Sequence, residues 1–115
     1  MTVTIYHNPR CSKSRQTLQL LRDNGVEPNI VEYLDAPPSA VEMKNILAML
    51  GMAPRDLMRK KEAPYVAGNL AEDSHSSDAL IDAMLADPIL IERPIVVSGN
   101  TAALGRPPEN VLKLL

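Results

Sequence analysis

The 115-residue chain contains a single cysteine, Cys11. One cysteine cannot close an internal disulfide, form a C-x-x-C redox pair or build a multi-cysteine zinc site. A disulfide-stapled secreted scaffold is thereby excluded. Histidine is nearly as scarce, with only His7 and His75, so no metal site is expected. Phe and Trp are absent, and the 3% of aromatic residues are all tyrosine: Tyr6, Tyr33 and Tyr65. The core must therefore come from Leu, Ile, Val, Ala and the six Met. An excess of charge is also lacking, since the net value is −2. Generic nucleic-acid binding asks for a strong cationic face, so no nucleic-acid partner is expected. The longest apolar run, Ile46 to Ala53 with Gly51 counted in, is far short of the ~20 residues of a membrane span. No basic segment followed by an apolar one opens the chain, so no secretory signal is expected and the default location is cytoplasmic.

What is present fits one domain over residues 1–115. Val3 to His7 alternates β-formers and predicts a strand. Ser12 to Asn24 predicts a helix with Leu18 and Leu21 on one face and Gly25 as its stop. Asn29 to Leu34 predicts a second strand. Ser39 and Glu42 form a capping box for a helix ending at Gly51. Pro54 suits the first position of a short helix through Leu57 and Lys61, and Ser77 caps another that ends near Asp87-Pro88. Ile95 to Val97 predicts a third strand, turned by Gly99-Asn100 into Thr101 to Leu104, before a closing helix over Pro107 to Leu115. A β-α-β start, a helical middle and a hairpin finish predict an α/β fold of thioredoxin-like type, a mixed sheet flanked by helices. In that fold, a proline at the mouth of the third strand, here Pro94, is usually cis and lies beside the active site.

Cys11 sits between the first strand and the first helix. Amides at a helix start carry partial positive charge and favour thiolate over thiol. From His7 to Arg15 there are three cations, Arg10, Lys13 and Arg15, and no acid. A free cysteine is most commonly a small buried hydrophobe. Polar, basic flanks favour a nucleophile instead. Ser14 could hydrogen-bond the sulfur from the first turn, and His7 could do so from the strand end or supply positive charge. Cations at a helix N-terminus oppose its dipole, and binding an anion would explain them. A Cys-x5-Arg phosphatase loop is excluded by Thr17 and a dithiol motif by Ser14. Arg93 and Arg106 flank the expected hairpin, and Arg59 lies in a basic run. Guanidinium groups bind tetrahedral oxyanions through paired donors. Taken singly, Arg59 reads as a surface residue, and the other two are open.

His7-Asn8-Pro9-Arg10-Cys11-Ser12-Lys13-Ser14-Arg15 resembles the active-site loop of the glutaredoxin-coupled arsenate reductases, the ArsC family, and most closely its uncharacterised bacterial branch. The similarity extends through Leu57-Met58-Arg59-Lys60, Arg93-Pro94-Ile95-Val96-Val97 and Gly105-Arg106-Pro107-Pro108. The resemblance implies a thioredoxin-like fold with an inserted helical segment. It places the nucleophile on Cys11, thiolate support on His7 and Ser14, and oxyanion binding on Arg59, Arg93 and Arg106. Asn8, Arg15 and Pro94 fall on supporting positions. It implies no bound cofactor, arsenate or a similar oxyanion as substrate, glutathione as external reductant and glutaredoxin as partner.

Two departures stand out. Arg10 and Lys13 replace small or uncharged residues of the characterised reductases, and those continue past the position of Leu115 with a further tail. Two other readings exist. One is an Spx-type regulator that binds RNA polymerase, whose usual C-x-x-C switch Ser14 breaks. The other is a monothiol enzyme for another oxyanion or a glutathionylated substrate.

Overall fold

Alternate residues of β1 (Val3–His7) are buried, so Val3, Ile5 and His7 share one face. That pattern organises the computed structural model, which describes residues 2–115. The chain groups into two compact units, residues 2–36 with Arg93–Leu115, and Pro37–Glu92.

The first unit carries a four-stranded mixed sheet in the order β2-β1-β3-β4, with β2 at Asn29–Glu32, β3 at Ile95–Ser98 and β4 at Thr101–Leu104. β2 runs parallel to β1, with Glu32 opposite His7. β3 runs antiparallel to β1, with Ile5 opposite Val96. Gly99 takes φ +60° at the first position of the β3–β4 turn, which a side chain would disfavour. Helix α1 (Ser12–Asp23) buries Ser14, Thr17, Leu18 and Leu21, the i, i+3, i+4, i+7 stripe of one face. It stops at Gly25, whose φ is +79°. Leu18 and Leu21 pack with Val3, Ile5, Val96, Ala103 and Val111. Full burial of a residue such as Ile5 or Leu21 contributes about 1.5–3 kcal/mol.

The second unit is helical: α2 (Ala40–Leu50), α3 (Ala63–Ala67) and α4 (Ser77–Ala86). Ser39 and Glu42 close the expected capping box, with Ser39 N–H on the Glu42 carboxylate at 2.9 Å and Glu42 N–H on the Ser39 hydroxyl at 3.1 Å. Met43, Ile46, Leu47, Leu80, Ile81 and Met84 are buried. The methionines at 43 and 84 thus serve as filler for an aromatic-poor core.

Several boundaries differ from the sequence expectation. β2 ends at Glu32 rather than Leu34, because the Glu32 carbonyl accepts from Asp35 and Ala36 and turns the chain. The segment from Pro54 stops as a 3-10 turn at Leu57 and does not reach Lys61. Met58 instead bridges Ile91, flanked by Arg59 N–H on Leu90 O at 2.7 Å and Glu92 N–H on Leu57 O at 2.8 Å. The cap of α4 is Ser76, not Ser77, with its hydroxyl accepting from Ala79 N–H at 3.1 Å. The closing helix is a 3-10 segment over Pro108–Leu114.

Candidate functional site

β1 delivers its last inward residue, His7, to the start of the loop that ends in Cys11. The loop is pinned at every step. Asn8 O accepts from Cys11 N–H at 3.0 Å, and Asn8 Oδ1 accepts from Arg10 N–H at 3.0 Å. Arg15 reaches back from α1 and donates to Pro9 O at 2.9 Å. Asn8 and Arg15 therefore fix the backbone that presents the sulfur.

Cys11 occupies the cap position of α1 with extended φ and ψ, and its side chain makes no conventional cap bond. The amides of Ser14 and Lys13 point their partial charge at the sulfur. Burial alone would raise the thiol pKa. The Ser14 amide, a hydrogen bond from Arg93, the Lys13 amide and the Arg93 charge outweigh it, and the net shift is downward. Arg106 adds Nη2 at 3.7 Å from Sγ while its Nε donates to Arg93 O at 2.7 Å. Both arginines precede cis prolines, Pro94 and Pro107. The Pro94 bond matches the sequence expectation. The Pro107 bond was not foreseen.

His7 and Ser14 meet each other rather than the sulfur. His7 Nδ1 lies 2.6 Å from Ser14 Oγ, and Asn8 N–H donates to the same oxygen at 3.0 Å. The expectation of a direct bond from the Ser14 hydroxyl to Cys11 is corrected on this point: the main-chain amide of Ser14 faces the sulfur. Burial lowers the His7 pKa against Glu32, with Arg22 and Arg15 adding to the fall. His7 is therefore a neutral prop at pH 7 and not the positive charge that the sequence allowed.

Gly105, next to Arg106, belongs to a segment that the sequence singles out, but its packing role is visible only in the fold. Its N–H donates to Pro94 O at 2.9 Å. A Cβ there would overlap Thr17 Oγ1 and lie 2.7 Å from Pro94 Cγ. Thr17 is fully buried and donates its hydroxyl to Lys13 O at 2.8 Å, so it cannot swing aside freely. The absent side chain lets α1 close onto the segment that carries both arginines.

Cys11, Arg93 and Arg106 thus form one cluster, and His7, Asn8 and Ser14 a second beneath it. Arg59 lies in the other unit, where it pairs with Glu92 at 3.1 Å. Among the described residues, no group of three or more His, Cys, Asp or Glu could hold a metal ion. Nor is any helix long and apolar enough to cross a membrane.

The family model described as "ArsC family" matches residues 6–114. The uncharacterised protein YfgD of Escherichia coli (strain K12) is 55% identical over 114 residues, 98% of this chain and 96% of its own length. A protein named arsenate reductase from Escherichia coli is 49% identical over 113 residues, 98% of this chain and 80% of that one. A solved structure named arsenate reductase from Vibrio cholerae matches with a TM-score of 0.97 and 50% identity, over 100% of this chain and 98% of the other.

Proposed function

The chain belongs to the ArsC family, and on that premise we propose that it is an arsenate reductase-type thiol oxidoreductase. The observation that carries this reading is the Cys11 sulfur, held at a helix start between the Arg93 and Arg106 guanidinium groups. Such a cluster both favours thiolate and offers directional donors to a tetrahedral oxyanion.

The Cys11 thiolate attacks arsenate, one arsenate oxygen leaves as water, and an S–As(V) bond results. Glutathione adds to this adduct with loss of a second water. A glutaredoxin thiol then takes the glutathione sulfur as a mixed disulfide. The two electrons released by forming that S–S bond reduce As(V) to As(III), and water then hydrolyses the remaining Cys11 S–As(III) bond, releasing arsenite and restoring the Cys11 thiol. Arg93 and Arg106 stabilise the negative charge of oxyanion and adduct. Arg59 is the third oxyanion ligand of this reading and rests on the family resemblance. His7 and Ser14 act by fixing the loop and the amide that faces the sulfur. Since the chain holds no second thiol, the resolving sulfur has to come from a small thiol or a partner protein, a role this reading gives to glutathione, and a reducing cytoplasmic compartment suits that need. We treat residues 1–115 as one ArsC-type domain with the helical segment inserted.

Arsenate-dependent NADPH oxidation, coupled through glutathione, glutaredoxin and glutathione reductase, tests the proposal. Activity is expected in the wild type and lost in Cys11→Ser. Turnover that survives Cys11→Ser overturns it.

A further inference from the structure

A cavity of about 180 Å³ opens at the carboxyl ends of the two parallel strands. One wall is His7, Asn8, Pro9 and Arg10, the residues leading directly into Cys11, and the other includes Glu32 and Asp35. Crevices outside the carboxyl ends of parallel strands are a common place for ligands. That volume is enough for a small charged group.

The charges of the walls are opposite in sign and unpaired. Arg10 stands on one side, Glu32 and Asp35 on the other, and none of the three forms a salt bridge among the described residues. The Arg10 amide is committed to Asn8 Oδ1 at 3.0 Å, which fixes the base of the side chain and leaves the guanidinium available. A ligand that satisfies both walls must carry an ammonium and a carboxylate a short distance apart. An α-amino acid group does so on a single carbon.

We propose that this cavity binds the α-amino acid end of the thiol co-substrate, with its carboxylate on Arg10 and its ammonium on Glu32 and Asp35. The inference rests on the reading that glutathione works with Cys11. The γ-glutamyl end of glutathione has that pair of charges, and its sulfur lies further along the same molecule. Arg10 then has a use. It selects the charged thiol and leaves the oxyanion to Arg93 and Arg106.

The test leaves arsenate out. The Cys11 thiolate attacks one sulfur of glutathione disulfide, forms a Cys11–glutathione disulfide and releases one glutathione thiolate. Mass spectrometry follows the rate. Exchange with bis(2-hydroxyethyl) disulfide, which is uncharged, reports the reactivity of the sulfur itself. The ratio of the two rates is expected to fall about three- to fivefold in Arg10→Gln, the scale of an exposed charged contact, and further in the Glu32→Gln/Asp35→Asn double variant. Disulfide of N-acetylated glutathione, which lacks the ammonium, should lower the ratio on the unaltered protein and react equally with the double variant. An unchanged ratio in the variants overturns the proposal, as does indifference to N-acetylation. Loss of the cavity effect with arsenate turnover intact would sink this inference alone. A cavity effect without arsenate turnover would sink the reductase reading alone.

Discussion

Arg106 donates through Nε to the main-chain carbonyl of Arg93 at 2.7 Å. One edge of its guanidinium is thus fastened to the backbone at cis-Pro94, and Nη2 is left 3.7 Å from the Cys11 sulfur. The fork geometry of arginine allows both contacts from one plane.

Arg106→Lys should therefore cost far more than a charge-conserving change suggests. An ammonium cannot hold the carbonyl and face the sulfur at once. Steady-state kinetics with arsenate should show kcat/KM reduced about 100-fold, the scale of one lost oxyanion donor. A change of less than threefold would remove Arg106 from the site.

Arg93 acts on the thiol by hydrogen bond and by charge. The rate of Cys11 alkylation by iodoacetamide should reach half its plateau at a pH below that of an unperturbed thiol. Arg93→Ala should move that midpoint upward. The protein carries no other thiol to confuse the measurement.

The His7 pKa is lowered by burial, with Glu32 opposing and Arg22 and Arg15 adding to the fall. Between the folded and unfolded pKa values the unfolded chain binds more protons, so stability rises with pH. The His7 contribution is full above the unfolded value of about 6.5 and is lost as pH falls toward the folded one. Urea midpoints should decline over that window in the wild type and decline less in His7→Gln. A matching decline in both would show that His7 is not the group responsible.

Gly105→Ala should destabilise the protein by about 1–3 kcal/mol through overpacking against Thr17 and Pro94. It should also raise the Cys11 alkylation midpoint, since the arginine segment has to move away from α1. Adding Thr17→Ala should recover part of both effects. A stable Gly105→Ala protein with an unshifted midpoint would show that the close approach has no bearing on the site.

Much of this architecture is legible along the chain because its signals are local. The alternation of Val3 to His7, the stripe of α1 and the Ser39–Glu42 box each need only a few neighbouring residues. The nucleophilic loop reads the same way, as a cysteine among cations at a strand–helix junction. What escaped depends on residues far apart in sequence. The Met58–Ile91 bridge cuts short a helix that Pro54 announces. The overlap that forbids a side chain at Gly105 involves Thr17, on a helix formed much earlier. α3 has five residues, too few to show a period. For Ser14 the residue type was informative and its direction was not, because the competing partner, His7, becomes visible only once β1 and α1 are packed together.

Cys11 stands where a helix ordinarily places a serine, threonine or aspartate, and its side chain closes no cap. The first amides of α1 thus face a sulfur, a weaker acceptor than a cap oxygen unless it is ionised. Serine at this position would be the better structural residue and the worse chemical one. Stability and reactivity are set against each other at a single atom, and the protein retains the less stable choice.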